Sequence, residues 1–445
     1  MTSATLVSRV HLRVSQLIGR IFSLAQRLKD DPTLQKSAIS VFDQAVVSGT
    51  AFVTTILLGA GGKWELGLYY LAWSLVGFTR GIQEQIVIAP YMIYWSRQEA
   101  DRLPRYAGSV LFHQAVYLFL CAATLAGVVA SGWLNERLTS ALSILVVALP
   151  LLLLRDFIRQ MSFCHLQIKT ALVIDMITAA VQLGLLAILA FAGMLNSEVT
   201  LAVMGLACGI AGLLWFWKKK QVFIANRQAI VEDWKNNWAF GRWALATYLL
   251  ASTTPYVMPW VVALVHGESE TGTFGACTSI VGFANMFMMG LCNFLGPKAA
   301  SAYASGGLTE LMHTLRRSLR LYLTSLGLFC VAAFFVGEWL ARTCYGSEFA
   351  GTGILIGVMT LTVLMNSVAI TAGNGLWAVE RPDANFRADL CAMVVTMVMT
   401  IALVPMLGGL GAAIAAFVGM TADAAVRWWT LRRMMCELQA KEVVA

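Results

Sequence analysis

Charge is what this sequence has least of. Asp, Glu, Lys and Arg make up 13% of its 445 residues, against roughly a quarter in soluble domains. With 58% hydrophobic residues and a mean hydropathy of +0.71, an ordinary soluble chain is excluded and a polytopic membrane protein is left. The nine cysteines form no CxxC pair and have no His at ligand spacing, which argues against a zinc site or a disulfide framework. They read as small hydrophobes. Also missing are a GxxxxGK[ST] loop, an HExxH helix and an Asp-x-Asp pair, the signatures of nucleotide, metalloprotease and metal-dependent sugar-transfer chemistry. No enzyme, metal or organic cofactor is expected.

Long apolar runs, by contrast, are abundant. A helix crosses the hydrocarbon core in about 20 residues. Such spans lie near 37–59, 66–95, 108–131, 138–158, 170–193 and 198–217, and again near 240–265, 272–295, 318–341, 351–373, 385–407 and 410–431. The expected fold is an all-α polytopic membrane protein of about 12 transmembrane helices. Of the 32 Lys and Arg, 28 fall in one set of alternating loops and tails, and the opposite loops hold Lys63, Arg137 and Arg342. Basic loops resist translocation, so both termini and the loop KKKQVFIANRQAIVEDWKN at 218–236 are assigned to the cytoplasm. The net charge of +8 therefore reports topology, not nucleic-acid binding.

The chain divides into an N-terminal segment at 1–36, a six-helix half at 37–217, a basic linker at 218–239, a second half at 240–431 and a tail at 432–445. Within 5–28, Arg9, Arg13, Arg20 and Arg27 share one helical face, with Val10, Val14, Leu17, Ile21 and Leu24 opposite. That pattern fits an amphipathic helix on the anionic inner leaflet, with a partner-binding tail as the alternative.

One stretch repeats. ELGLYYLAWSLVGF at 65–78 aligns without a gap on ETGTFGACTSIVGF at 270–283, with six of fourteen positions identical. Glu, Gly and Ser are not what hydrophobicity alone repeats, and both copies open the second helix of a half. An even number of spans per half gives both halves the same orientation, so the repeats are parallel and related by a pseudo-twofold axis along the membrane normal. At this offset Arg80 corresponds to Asn285. A weaker match of LLLRD (152–156) with VLMNS (363–367) pairs Arg155 with Asn366.

A charge at the bilayer centre costs about 2.5–3.5 kcal/mol on insertion scales and marks a cavity or a partner. Arg80 lies deep in the second span, and Glu84 follows at the i, i+4 spacing that allows a pair. Asp43 enters two turns from the inner surface, while Arg155, Arg159 and Asp175 gather near the inner ends of the fourth and fifth spans. They form either an interfacial ion-pair cluster or a cationic entrance for a negatively charged group. Asp423 and Arg427 are a structural i, i+4 pair. Pro255 and Pro259 free backbone carbonyls in the seventh span, a kink or gate. Asn285, Asn293 and Asn366 are positioned either to bond sugar hydroxyls or to bond across helices.

With twelve spans in two parallel halves, SVFDQAVVSGTAF in the first, GKWELGLYYLAWSL in the second and LLRDFIRQ closing the fourth, the chain resembles the polysaccharide flippases. That family belongs to the superfamily of multidrug extruders and lipid II flippases. The resemblance implies that an undecaprenyl-pyrophosphate-linked oligosaccharide crosses the bacterial cytoplasmic membrane by alternating access. Its implied partners are the lipid-linked glycan, membrane lipids and polysaccharide assembly proteins. Arg80 and Arg155 would then meet the pyrophosphate, for which guanidinium is a good donor. The alternative is a cation-coupled multidrug extruder, with Asp43 and Glu84 holding Na⁺ or H⁺.

The orientation is testable by labelling. Cysteines placed at 61–64 or 266–270 are expected to react with an impermeant thiol reagent added outside, and a cysteine at 225 is not. External labelling at 225 would overturn the assignment.

Overall fold

The computed structural model describes residues 32–95, 97–99, 101–219, 223–224 and 226–444, with the side chains at 285–287, 289–294 and 435–444 among a few left out. The amphipathic segment expected at 5–28 lies outside the described residues. Among these residues every regular element is helical. α1 is Pro32–Gly59, and α2 covers 63–95, passing through one π-helical turn at Glu84–Ile88. α3 (Leu103–Ala130), α4 (Glu136–Cys164), α5 (Ile168–Phe191) and α6 (Ser197–Lys219) follow.

Helical backbone then runs from Arg227 to Tyr345. Gly267, Gly306 and Gly307 leave helical dihedrals and divide it into α7 (227–266), α8 (268–305) and α9 (308–345). α10 is Gly353–Ala378, and Gly408 divides Pro382–Val444 into α11 (382–407) and α12 (409–444). Among the described residues, eight stretches are long and apolar enough to cross a membrane, or nine with the bent α7 included. Two of these, Leu295–Tyr345 and Pro382–Met434, contain the glycine breaks. α2, which carries Arg80, is not among them. The layout is consistent with twelve helices in two sets of six.

The two copies of the repeat meet each other. A Cβ on Gly67 would fall 1.8 Å from the Glu268 carbonyl oxygen, and a Cβ on Gly272 would fall 1.8 Å from that of Lys63. Gly67 and Gly272 occupy the same position in the two copies, as do Lys63 and Glu268. Each glycine therefore lies against the residue equivalent to its partner's neighbour. Such reciprocity is what a twofold axis produces. Only glycine lets two helix backbones approach so closely.

The flanking residues repeat the relation. Gly62 and Gly267, again equivalent, open α2 and α8 with φ of 102° and 83°, a conformation that favours glycine. The repeated glutamate has the same task in both halves. Glu65 accepts from the Ser197 backbone N–H at 2.6 Å and Glu270 from that of Gly409 at 3.0 Å. Ser197 begins α6 and Gly409 begins α12, so each carboxylate caps the sixth helix of its half, where unpaired N–H groups and the helix dipole favour an anion.

From this crossing two seams run toward the end that the charge distribution assigns to the cytoplasm. α2 follows α7 through the depth of the protein: the Trp260 indole donates to the Ser74 hydroxyl at 2.9 Å, Gly77 and Gly81 lie under Tyr256 and Tyr248, and Gly241 lies against the Gln85 carbonyl. α1 meets the second half toward its Gly59 end, with Phe52 edge-on to Phe283 at 4.8 Å and the Thr55 hydroxyl 2.9 Å from the Tyr345 hydroxyl. Nearer its inner end, Val41 and Phe42 are exposed.

Counted from helix ends, Cys164 corresponds to Ala378 and Ile168 to Pro382. That register sets Arg155 opposite Ala369, three residues from the Asn366 of the weaker sequence match.

Glycine-to-alanine changes test the crossing by sign. Gly67→Ala and Gly272→Ala are expected to destabilise the detergent-solubilised protein by roughly 1–3 kcal/mol through overpacking. Gly127 and Gly184 have no atom within 4 Å of an added Cβ, and alanine there is expected to stabilise slightly, since glycine in a helix costs about 0.5–1 kcal/mol. Thermal unfolding of the four variants checks this.

Candidate functional site

Three helices of the first half bring Asp43, Arg155, Arg159 and Asp175 into one buried network. Arg159 on α4 donates from Nη2 to Asp43 Oδ2 on α1 and from Nε to Asp175 Oδ2 on α5, both at 2.7 Å. Arg155, one turn earlier, pairs with the other Asp175 oxygen. Asp43, Asp175 and Arg159 are 0%, 1% and 7% exposed, and the Arg159 guanidinium also lies over the Phe163 ring. Of the two readings open from sequence, this geometry is that of the ion-pair cluster. Asp43, an expected cation ligand in the extruder reading, has Arg159 as its partner, and its Oδ1 is buried without a hydrogen bond.

Arg80 corrects another expectation. Its partner is Asp156 on α4, not Glu84: Nε donates to Oδ2 at 2.9 Å and Nη2 lies 2.7 Å from Oδ1. The i, i+4 pair is lost to a carboxylate on the neighbouring helix whose two oxygens lie along one edge of the guanidinium. Glu84 instead opens the π-helical turn and is exposed. Next to Arg80, Gln83 is fully buried and donates to the Leu153 carbonyl at 3.1 Å, so two contacts one turn apart stitch α2 to α4. Arg80 itself keeps 39% of its side chain exposed while Asp156 keeps 6%. An arginine carries five N–H donors. Asp156 Oδ2 takes the Nε donor and Oδ1 faces Nη2 without a hydrogen bond, and the two donors of Nη1 remain.

Asp156 follows Arg155 in the chain yet serves a different helix, because neighbours on a helix point about 100° apart. That angular separation is the sequence signal for two partners. The second half has its own charge centre around Arg427. The expected contact to Asp423 forms at 2.8 Å, and Arg427 also donates to Asn385 Oδ1 at 2.7 Å and to Asp389 on α11. Asn385 and Asp389 are additions to the residues picked from sequence. Asn366 is half-buried on α10, while Asn285 and Asn293 lie outside the described side chains. α7 bends by 43° between Leu250 and Thr254, the turn preceding Pro255, where a proline ring displaces the carbonyl four residues back.

No family model matches this chain, and no curated protein does. Solved structures share its fold. An inward-facing multidrug resistance MATE family transporter of the MOP superfamily matches with a TM-score of 0.73 at 12% identity, covering 89% of this chain and 96% of that one. The lipid II flippase MurJ in an inward closed conformation matches with 0.71 at 13% identity, covering 90% and 87%. An outward-facing MATE family transporter matches with 0.60 at 12% identity, covering 91% and 95%. The chain shares the fold of these membrane proteins.

The buried network is tested by unpairing it. Arg159→Met is expected to destabilise by roughly 3–5 kcal/mol, since it strands carboxylates in the interior. Adding Asp43→Asn should recover part of that loss. Equal stability of wild type and Arg159→Met would show that the network is solvated.

Proposed function

We propose that this chain is a flippase that carries an undecaprenyl-pyrophosphate-linked oligosaccharide from the inner to the outer leaflet of a bacterial cytoplasmic membrane. The observation that carries the proposal is Arg80: a guanidinium midway along α2, anchored by an ion pair yet 39% exposed, with donors to spare. A pyrophosphate is a fitting ligand, because planar N–H pairs match phosphate oxygens and the anchored fork loses little further freedom on binding. The resemblance of the sequence to polysaccharide flippases and the fold shared with a lipid II flippase support the same reading.

Alternating access fits the packing. The α1 contacts with the second half cluster near the outer end, which suits a resting state open to the inner leaflet, where the glycan is assembled. Oligosaccharide hydroxyls would meet the amides of Asn285, Asn293 and Asn366, and the bend before Pro255 would serve as the hinge of a gate. The lipid tail would stay in the bilayer. Polysaccharide assembly proteins would be the partners on either side.

A second reading has one observation in its favour. Glu84 is exposed and, among the described residues, has no cation within ion-pair distance, as the acid of a Na⁺- or H⁺-coupled extruder would be. Asp43, held by Arg159, does not share that property.

Variants separate the readings. Arg80→Gln with Asp156→Asn removes both charges together and so avoids stranding one in the membrane. This pair is expected to reach the membrane folded and to abolish glycan export, with lipid-linked glycan left on the inner leaflet. Arg80→Lys should retain part of the activity, since an ammonium attracts phosphate without the fork. Glu84→Gln should leave export intact. Normal export by the doubly neutral variant would reduce Arg80 to scaffold, and loss of cation-driven dye efflux in Glu84→Gln would favour the extruder.

A further inference from the structure

Away from these networks, the second half carries a groove between the start of α9 and the end of α12, with Val368 of α10 behind it. Its volume is about 820 Å³. Along α9 the lining residues Leu308, Met312, Arg316, Leu319 and Arg320 recur at three- and four-residue intervals, so they form one face of the helix. α12 contributes Trp428 and Arg432, one turn apart. The Trp428 indole N–H donates to the Val368 carbonyl at 3.0 Å, which fixes the ring against the floor of the groove.

The groove is two-sided in its chemistry. Leu308, Met312, Leu319, Val368 and the indole are apolar and partly buried, whereas Arg316, Arg320 and Arg432 are exposed and, among the described residues, have no carboxylate within 4 Å. His313 stands at the rim with Glu310 at 3.9 Å. Arg80, Arg155, Arg159 and Arg427 have acidic partners, and Arg427, on the same helix as Arg432, has two. Three guanidinium groups without a carboxylate partner among the described residues, over an apolar trough, call for a ligand that is anionic at one end and hydrocarbon at the other.

We infer that this groove binds the phosphate headgroup of an anionic phospholipid of the cytoplasmic leaflet, its acyl chains leaving toward the bilayer past Leu319, Val368 and Trp428. The inference rests on the charge-based orientation, which puts the start of α9 and the end of α12 at the cytoplasmic surface. It does not need the cargo assignment. Basic pockets between transmembrane helices on this side hold such headgroups, each arginine adding attraction to the negative leaflet surface. Tryptophan is suited to the same interface.

Binding of phosphatidylglycerol to the purified full chain, followed by native mass spectrometry with phosphatidylcholine as the neutral reference, tests the site. Arg316→Gln/Arg320→Gln/Arg432→Gln is expected to weaken phosphatidylglycerol binding at least tenfold, leaving phosphatidylcholine and thermal unfolding in neutral detergent unchanged. Glycerol phosphate, which lacks acyl chains, should bind at least tenfold more weakly than the lipid. Should the triple variant fail to fold, Arg316→Gln and Arg432→Gln alone are each expected to cost about threefold. Undiminished phosphatidylglycerol binding in a folded variant overturns the inference. So does loss of undecaprenyl pyrophosphate binding with phosphatidylglycerol retained, which would assign the groove to the cargo. Glycan export is read separately, so failure of either proposal is distinguishable from failure of the other.

Discussion

Two helix backbones cross with nothing but glycine between them, and the rest of the structure is arranged around that contact. At Gly67 and Gly272 an added carbon would sit 1.8 Å from the opposite carbonyl oxygen, so the outer ends of α2 and α8 touch as closely as main chains can. A close approach adds dispersion contacts without relying on a hydrophobic driving force, which is weak between helices in lipid. The contact is reciprocal, and it is continued by Gly62 and Gly267 at the turns and by Glu65 and Glu270 on the sixth helix of each half. Three pairs of equivalent residues thus fix one axis at the end that the charge distribution assigns to the outside. A joint placed there permits the inner ends of the halves to move apart without unmaking either half.

Charge within the membrane follows a second rule. Asp43, Asp175, Arg155 and Arg159 neutralise one another across α1, α4 and α5, and Arg427 is satisfied by Asp389, Asp423 and Asn385 across α11 and α12. Such networks tie the helices of one half into a unit, since separating them would strand a charge in a medium that solvates it poorly. Arg80 differs in degree. It is paired on one edge and open on the other, which suits a binding group in a way that the enclosed Arg159 does not.

The fold was largely legible in the sequence, and the partners of the charges were not. Spans are set by local hydrophobicity, and the repeat at 65–78 and 270–283 stood out because Glu and Gly are conspicuous in apolar helices. Those residues turned out to cap helices and to permit the crossing, tasks that apolar residues cannot perform. The i, i+4 rule paired Asp423 with Arg427 correctly, yet it misplaced Arg80. A local rule cannot weigh a carboxylate 76 residues away that offers both oxygens to the fork. Asp389, Asn385 and the groove over Val368 were invisible for the same reason, as each depends on which faces of distant helices meet.

In the proposed cycle the ends of the two halves that close at the glycine crossing part to release lipid-linked pyrophosphate glycan. The most direct measurement is the arrival of such a glycan at the outer leaflet of vesicles containing only this chain, with and without a reducible bis-thiol cross-link joining cysteines placed at 135 and 268, whose native side chains bond across that end at 2.7 Å. Transfer by the free protein that stops on cross-linking and resumes on reduction is the predicted result. Transfer at an equal rate through the cross-linked protein, or none by the free protein, would contradict it.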